Sequence, residues 1–123
     1  MTRPSFVRSL RHAWRGARLA FQSERNFRIQ LCFALAALAA AAAFPLTTGE
    51  RIIVMVVTLS VLVLELLNTT VERLVDLMKP RLIDVAGDIK DLMAAAVLLA
   101  SAFAVIIGLV IFLPYLISLF RQL

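Results

Sequence analysis

From Leu92 to Phe120 the chain carries no charged side chain, 29 residues in succession. A helix rises about 1.5 Å per residue and a bilayer's hydrocarbon core is about 30 Å thick, so about 20 apolar residues span it. A soluble helix apolar on every side over this length has no face to show to water. Two further stretches are apolar. Ile29 to Leu46 has Gln30 as its polar exception and ends at Thr47, Thr48 and Gly49, which read as a turn. Ile52 to Leu64 is uncharged, and counted through Glu65 the run reaches Val71. Composition agrees, with 62% of the 123 residues hydrophobic and 17% charged; a soluble domain has about half and about a quarter. The expected fold is all-α and integral to the membrane, one domain over 1–123 with spans at 29–48, 51–77 and 89–120. Pro114 is read as the point where the regular part of the third span ends.

Residues 1–28 read differently. Phe6, Leu10, Ala13, Trp14, Ala17, Ala20 and Phe21 recur at steps of three and four, and Arg8, Arg11, Arg15 and Arg18 fill the other side. That pattern predicts an amphipathic helix lying in the headgroup region. A signal peptide is the alternative, but this basic region is long and amphipathic where a leader's is short and featureless. Seven of the thirteen basic residues precede the first span and four lie between Arg73 and Lys90, leaving Arg51 and Arg121. The positive-inside rule then places the amino terminus and the second loop in the cytoplasm, and the Thr47–Arg51 turn outside. The net charge of +5 is read as these cytoplasmic loops, with no nucleic-acid partner. Cys32 and His12 stand alone, so neither a disulfide nor a zinc ligand set is available. The run Ala39–Ala43 suits close helix packing through small side chains.

Acids in a span are costly, so function is sought there. A carboxylate at the bilayer centre costs about 2.5–3.5 kcal/mol on insertion scales. Glu65 is such a residue, followed by Asn68, Glu72 and Asp76 at offsets of three, seven and eleven. At about 100° per residue all four share one helix face. Carboxylates so arranged can hold a hard cation or set a base beside one. The plainer reading leaves Glu72 and Asp76 solvated, paired with Arg73 or Lys79. A second cluster, Asp88-Ile89-Lys90-Asp91, opens the third span. Asp88 there is an N-cap candidate, and Lys90 either snorkels or meets phosphate with the helix dipole. A third, Glu24-Arg25-Asn26-Phe27-Arg28, lies before the first span and reads as an interfacial anchor. All three fall at one membrane level. No GxxxxGK[ST] or GxGxxG loop is present, so a nucleotide here would not be held by a soluble-kinase device.

The run Glu65 to Asp76, ELLNTTVERLVD, resembles the E-x-x-N-[ST]-[AT]-[IV]-E-x-[VL]-V-D signature of the small prokaryotic diacylglycerol kinases. Lys90-Asp91 with Ala94 to Ala96 resembles their K-D segment, at the family's spacing. Trp14-Arg15-Gly16 with Arg18, then Glu24 with Phe27-Arg28, resembles their surface helix and its junction. The resemblance covers nearly the whole chain. It implies an integral-membrane kinase that moves the γ-phosphate of ATP onto a lipid hydroxyl, built as a homotrimer with sites between subunits, in a bacterial inner membrane. Carried over by position, Glu65 is the general base and Asn68 its polar support. Glu24 and Glu72 hold Mg²⁺ and take part in ATP binding, Lys90 and Asp91 handle ATP, and Trp14, Arg18 and Glu65 meet the lipid. His12 falls at a nucleotide-contacting position where the family often has Tyr. Arg81 and Ile83 stand where the family has acidic or His residues, so adenine contacts are not carried onto that loop. With Asn26 and the loop Asp76 to Pro80, these departures look more like the undecaprenol kinase branch.

The expected function is therefore a lipid kinase acting on diacylglycerol, with undecaprenol as the alternative acceptor. A different class, a small proton-coupled transport subunit with Glu65 as relay, would not need three charged clusters at one level. A scaffolding role for Glu65 predicts that Glu65→Leu stabilises the protein.

Overall fold

The computed structural model describes residues 5–81 and 83–123. Every regular element among them is a helix: α1 (Phe6–Ser23), α2 (Arg25–Ala43), α3 (Thr48–Met78) and α4 (Ile83–Arg121). Helices α2, α3 and α4 are each long and apolar enough to cross a membrane. They run up, down and up, with α3 packed against both neighbours. The start of α2, the end of α3 and the start of α4 therefore share one end of the bundle.

Ser5 caps α1, its Oγ accepting from Arg8 N at 3.3 Å. The α1–α2 boundary is a single residue, Glu24, extended at φ −116°, ψ 109°. This break lies within the charged cluster before Ile29. Its cause is visible in the carbonyls a helix end leaves without partners. Arg28 Nη1 donates to Phe21 O at 2.8 Å and Gln22 O at 3.2 Å, and Ser23 Oγ donates to Leu19 O at 2.7 Å. From α3, Arg73 Nη2 donates to Ser23 Oγ at 2.9 Å and ties the junction to the bundle.

The opposite end is also pinned. The stretch from Thr47 to Arg51, expected as a turn, is instead the N-cap and first turn of α3. Thr47 Oγ1 accepts from Glu50 N at 3.2 Å while Glu50 Oε1 accepts from Thr47 N at 3.0 Å, a reciprocal capping box. Arg51 donates to Ala41 O (3.0 Å) and Phe44 O (3.2 Å), and Tyr115 Oη donates to Glu50 Oε1 (2.6 Å). Ala41, Leu46, Val54 and Ile111 are buried beneath this latch.

Two other expectations change. Helix α4 begins at Ile83, so Asp88 lies in its second turn and is not an N-cap. The same helix runs through Pro114 to Arg121. Proline forfeits one backbone bond, which flanking turns of a long apolar helix absorb. Along the spans, large apolar side chains such as Phe33, Leu59, Leu98, Phe103 and Val110 are exposed. That pattern suits helices solvated by hydrocarbon.

Candidate active site

On α3 the acids diverge in environment. Glu65 is 2% exposed, Glu72 half-buried and Asp76 exposed. One helix face therefore descends from a sealed carboxylate to a solvated one. Gln30 of α2 meets the sealed end, its Nε2 donating to Glu65 Oε2 at 3.2 Å. Three polar atoms beside this contact are buried without a partner among the described residues: Gln30 Oε1, Asn68 Oδ1 and Thr69 Oγ1. Thr69 departs from its neighbours, since Thr58, Ser60 and Thr70 each return their hydroxyl to the carbonyl four residues earlier at 2.7–2.8 Å. A buried polar atom left unpaired costs about 1–3 kcal/mol. Asn68 and Thr69 of α3 and Gln30 of α2 thus form one polar spot inside the apolar bundle.

The Glu24 carboxylate stands at the break between α1 and α2. It occupies a cap position but makes no capping bond, so its oxygens remain available. The Arg73–Ser23 bond sets the turn of α3 that carries Glu72 against the junction that carries Glu24. Among the described residues neither Glu24 nor Glu72 has an ion pair or a side-chain hydrogen bond. No group of three or more His, Cys, Asp or Glu among those residues is placed to hold a metal alone. Two half-buried carboxylates with free oxygens suit a hard divalent cation that takes its remaining ligands from phosphate and water.

Lys90 reaches back from α4, its Nζ 2.7 Å from Asp76 Oδ1, and Lys79 approaches the same oxygen at 3.4 Å. Pairing of Asp76 with Lys79 agrees with the plainer sequence reading, while Lys90 is the closer partner. Asp91 is exposed and borders a separate depression with Asp88, Leu92 and Ala95. His12, Trp14 and Arg18 are exposed on α1, and no hydrogen bond among the described residues joins them to the Glu65 cluster. The structure thus puts Glu65 and Asn68 on one face of α3, sets Glu24 and Glu72 toward the shared end of the bundle, and shows no hydrogen bond among the described residues from Asp91 or the α1 residues to them.

Gln30 and Thr69 were not singled out as site residues from sequence. The available signal for Gln30 was its place as the one amide in an otherwise apolar run. Gln30 also borders an apolar groove of about 440 Å³ between α2, α3 and α4, lined by Phe33, Ala37, Val57, Val61 and Gly108 among others.

The family model described as prokaryotic diacylglycerol kinase matches residues 11–112. A diacylglycerol kinase of Synechocystis sp. is 42% identical over 117 residues, covering 94% of this chain and 67% of that protein. An undecaprenol kinase of Bacillus subtilis is 37% identical over 109 residues, 89% of each chain. A diacylglycerol kinase of Escherichia coli is 29% identical over 100 residues, 81% of this chain and 82% of that one.

Proposed function

Because this chain belongs to the prokaryotic diacylglycerol kinase family and is a lipid kinase, we propose that it transfers the γ-phosphate of ATP to the hydroxyl of diacylglycerol, giving phosphatidic acid. The observation that carries the reading is the buried Glu65, 2% exposed, with polar atoms on its own helix that have no partner among the described residues and two further acids toward the same end of the bundle.

In this mechanism Glu65 takes the proton of the lipid hydroxyl as its oxygen attacks the γ-phosphorus. The bond from that phosphorus to the bridging oxygen breaks and ADP leaves, with no phosphoenzyme. Asn68 supports the base. Glu24 and Glu72 hold Mg²⁺, which when bound neutralises phosphate charge. Lys90, held ready by Asp76, exchanges that partner for phosphate oxygens, and Asp91 contributes from the same turn of α4. Phosphoryl transfer asks chiefly for positioning and charge neutralisation, which fits a site made of acids, one lysine and an amide.

Helix α1 lies in the headgroup layer on this reading. Trp14 and Phe6 are 72% and 77% exposed, surface that hydrocarbon would cover, while its arginines face phosphate. Trp14 and Arg18 meet the lipid there, and His12 the nucleotide. The amino terminus and active site face the cytoplasm, a reading the distribution of basic residues supports, and the membrane is a bacterial inner membrane. The protein assembles as a homotrimer, which supplies the walls that three helices alone lack.

Undecaprenol is the second acceptor, favoured by the 37% identity to an undecaprenol kinase over 89% of each chain. The experiment that tests both offers ATP and each lipid side by side in mixed micelles. Phosphatidic acid as the faster product supports the first acceptor and undecaprenyl phosphate the second. No phospholipid product on either, from folded protein, overturns the reading.

A further inference from the structure

Gln30 is an amide inside a span, and each of its two polar ends has a distinct setting. Its Nε2 donates to Glu65 Oε2 at 3.2 Å, while its Oε1 is buried without a partner among the described residues. An amide placed among hydrocarbon is costly unless its bonds are made. Here one end is spent on a carboxylate of the neighbouring helix and the other is left open beside the apolar groove. A glutamate has three side-chain torsions, and its terminal torsion turns almost freely. A charged hydrogen bond to one carboxylate oxygen removes that freedom. Glu65 Oε1, by contrast, accepts no hydrogen bond from the described residues.

We propose that Gln30 is a positioning residue of the kinase reaction, resting on the reading above: it clamps Glu65 Oε2 and thereby presents Oε1 to the acceptor hydroxyl. The proton leaves the lipid oxygen for Oε1 while Oε2 stays bonded to the amide. Gln30 lines the groove and also contacts this carboxylate, so it links the apolar groove to the base. A purely structural role, joining α2 to α3, would affect folding and leave the turnover of folded protein unchanged.

The test compares wild type, Gln30→Met and Gln30→His in micelles containing whichever lipid the wild type phosphorylates. Methionine keeps the length and removes the hydrogen bond, whereas an imidazole N–H keeps a donor at similar reach. Each protein is first checked for thermal stability and assembly, and kcat and KM are measured on the assembled fraction. Gln30→Met is expected to lose about 10- to 100-fold in kcat, the range of a hydrogen bond to a charged group, with KM for ATP unchanged. Gln30→His is expected to restore most of the loss. Wild-type kcat in assembled Gln30→Met overturns the assignment alone. If Gln30→Met does not assemble, Gln30→His decides, and assembled protein without turnover overturns it. No transfer by wild type overturns the kinase reading and this assignment with it.

Discussion

Glu65 and Asp76 are both acids on α3, yet their surroundings assign them different work. Asp76 is exposed and shared by Lys90 and Lys79, and such surface pairs, screened by water and salt, add little to stability. Glu65 is sealed and has an amide for its hydrogen-bond partner. Glu24 and Glu72 lie between these extremes, half-buried and without ion pairs among the described residues. Glu24→Gln and Glu72→Gln are therefore expected to raise the Mg²⁺ concentration needed for half-maximal rate severalfold. A wild-type Mg²⁺ titration in both would remove them as ligands. The acids of α3 were legible in sequence because helical periodicity within one element aligns them. The Gln30–Glu65 contact was not, since it depends on the register between two helices. Nor was the open hydroxyl of Thr69, because a helical threonine ordinarily bonds its own backbone.

At the scale of elements, two end devices hold the helices, and they differ in what lies beside them. The Thr47–Glu50 capping box and Tyr115 secure the end remote from Glu65. Arg28 and Arg73 secure the end where Glu24 stands. Thr47→Ala is expected to cost about 1 kcal/mol of stability with turnover unchanged, read from unfolding in detergent beside a kinase assay. Arg28→Ala removes bonds worth a similar amount but frees the Glu24 junction, so its turnover at limiting Mg²⁺ is expected to fall. Equal kinetics in the two variants would separate the junction from the chemistry. The three apolar helices were readable because a bilayer asks only for length and absence of charge. The break at Glu24 was harder to read, for the residues on both sides favour helix and the interruption is stabilised by an arginine four positions later. The start of α4 at Ile83 displaced Asp88 from its expected cap for a similar reason: the residues before it continue the helix without a stop signal.

For the whole molecule, the shared end of α2, α3 and α4 gathers the three charged clusters read from sequence, and its basic residues are expected to face the cytoplasm. With Cys32 replaced by serine, Lys79→Cys is expected to react with an impermeant maleimide only in inside-out vesicles. Thr48→Cys is expected to react only in right-side-out ones, and the reverse pattern would invert the topology. Assembly as three copies is expected from the mass of the protein–detergent particle, and a monomeric active species would contradict it. Subunit number was legible only through family resemblance, because exposed apolar side chains look alike whether lipid or another subunit covers them.

The central claim is that Glu65 is the base of a lipid kinase. Its most direct test is the turnover of Glu65→Gln, which keeps the shape and a hydrogen-bonding end but cannot take a proton. Assembled protein is predicted to retain its fold and lose about 10²- to 10⁴-fold in kcat, the usual worth of a general base. Turnover equal to wild type would contradict the account.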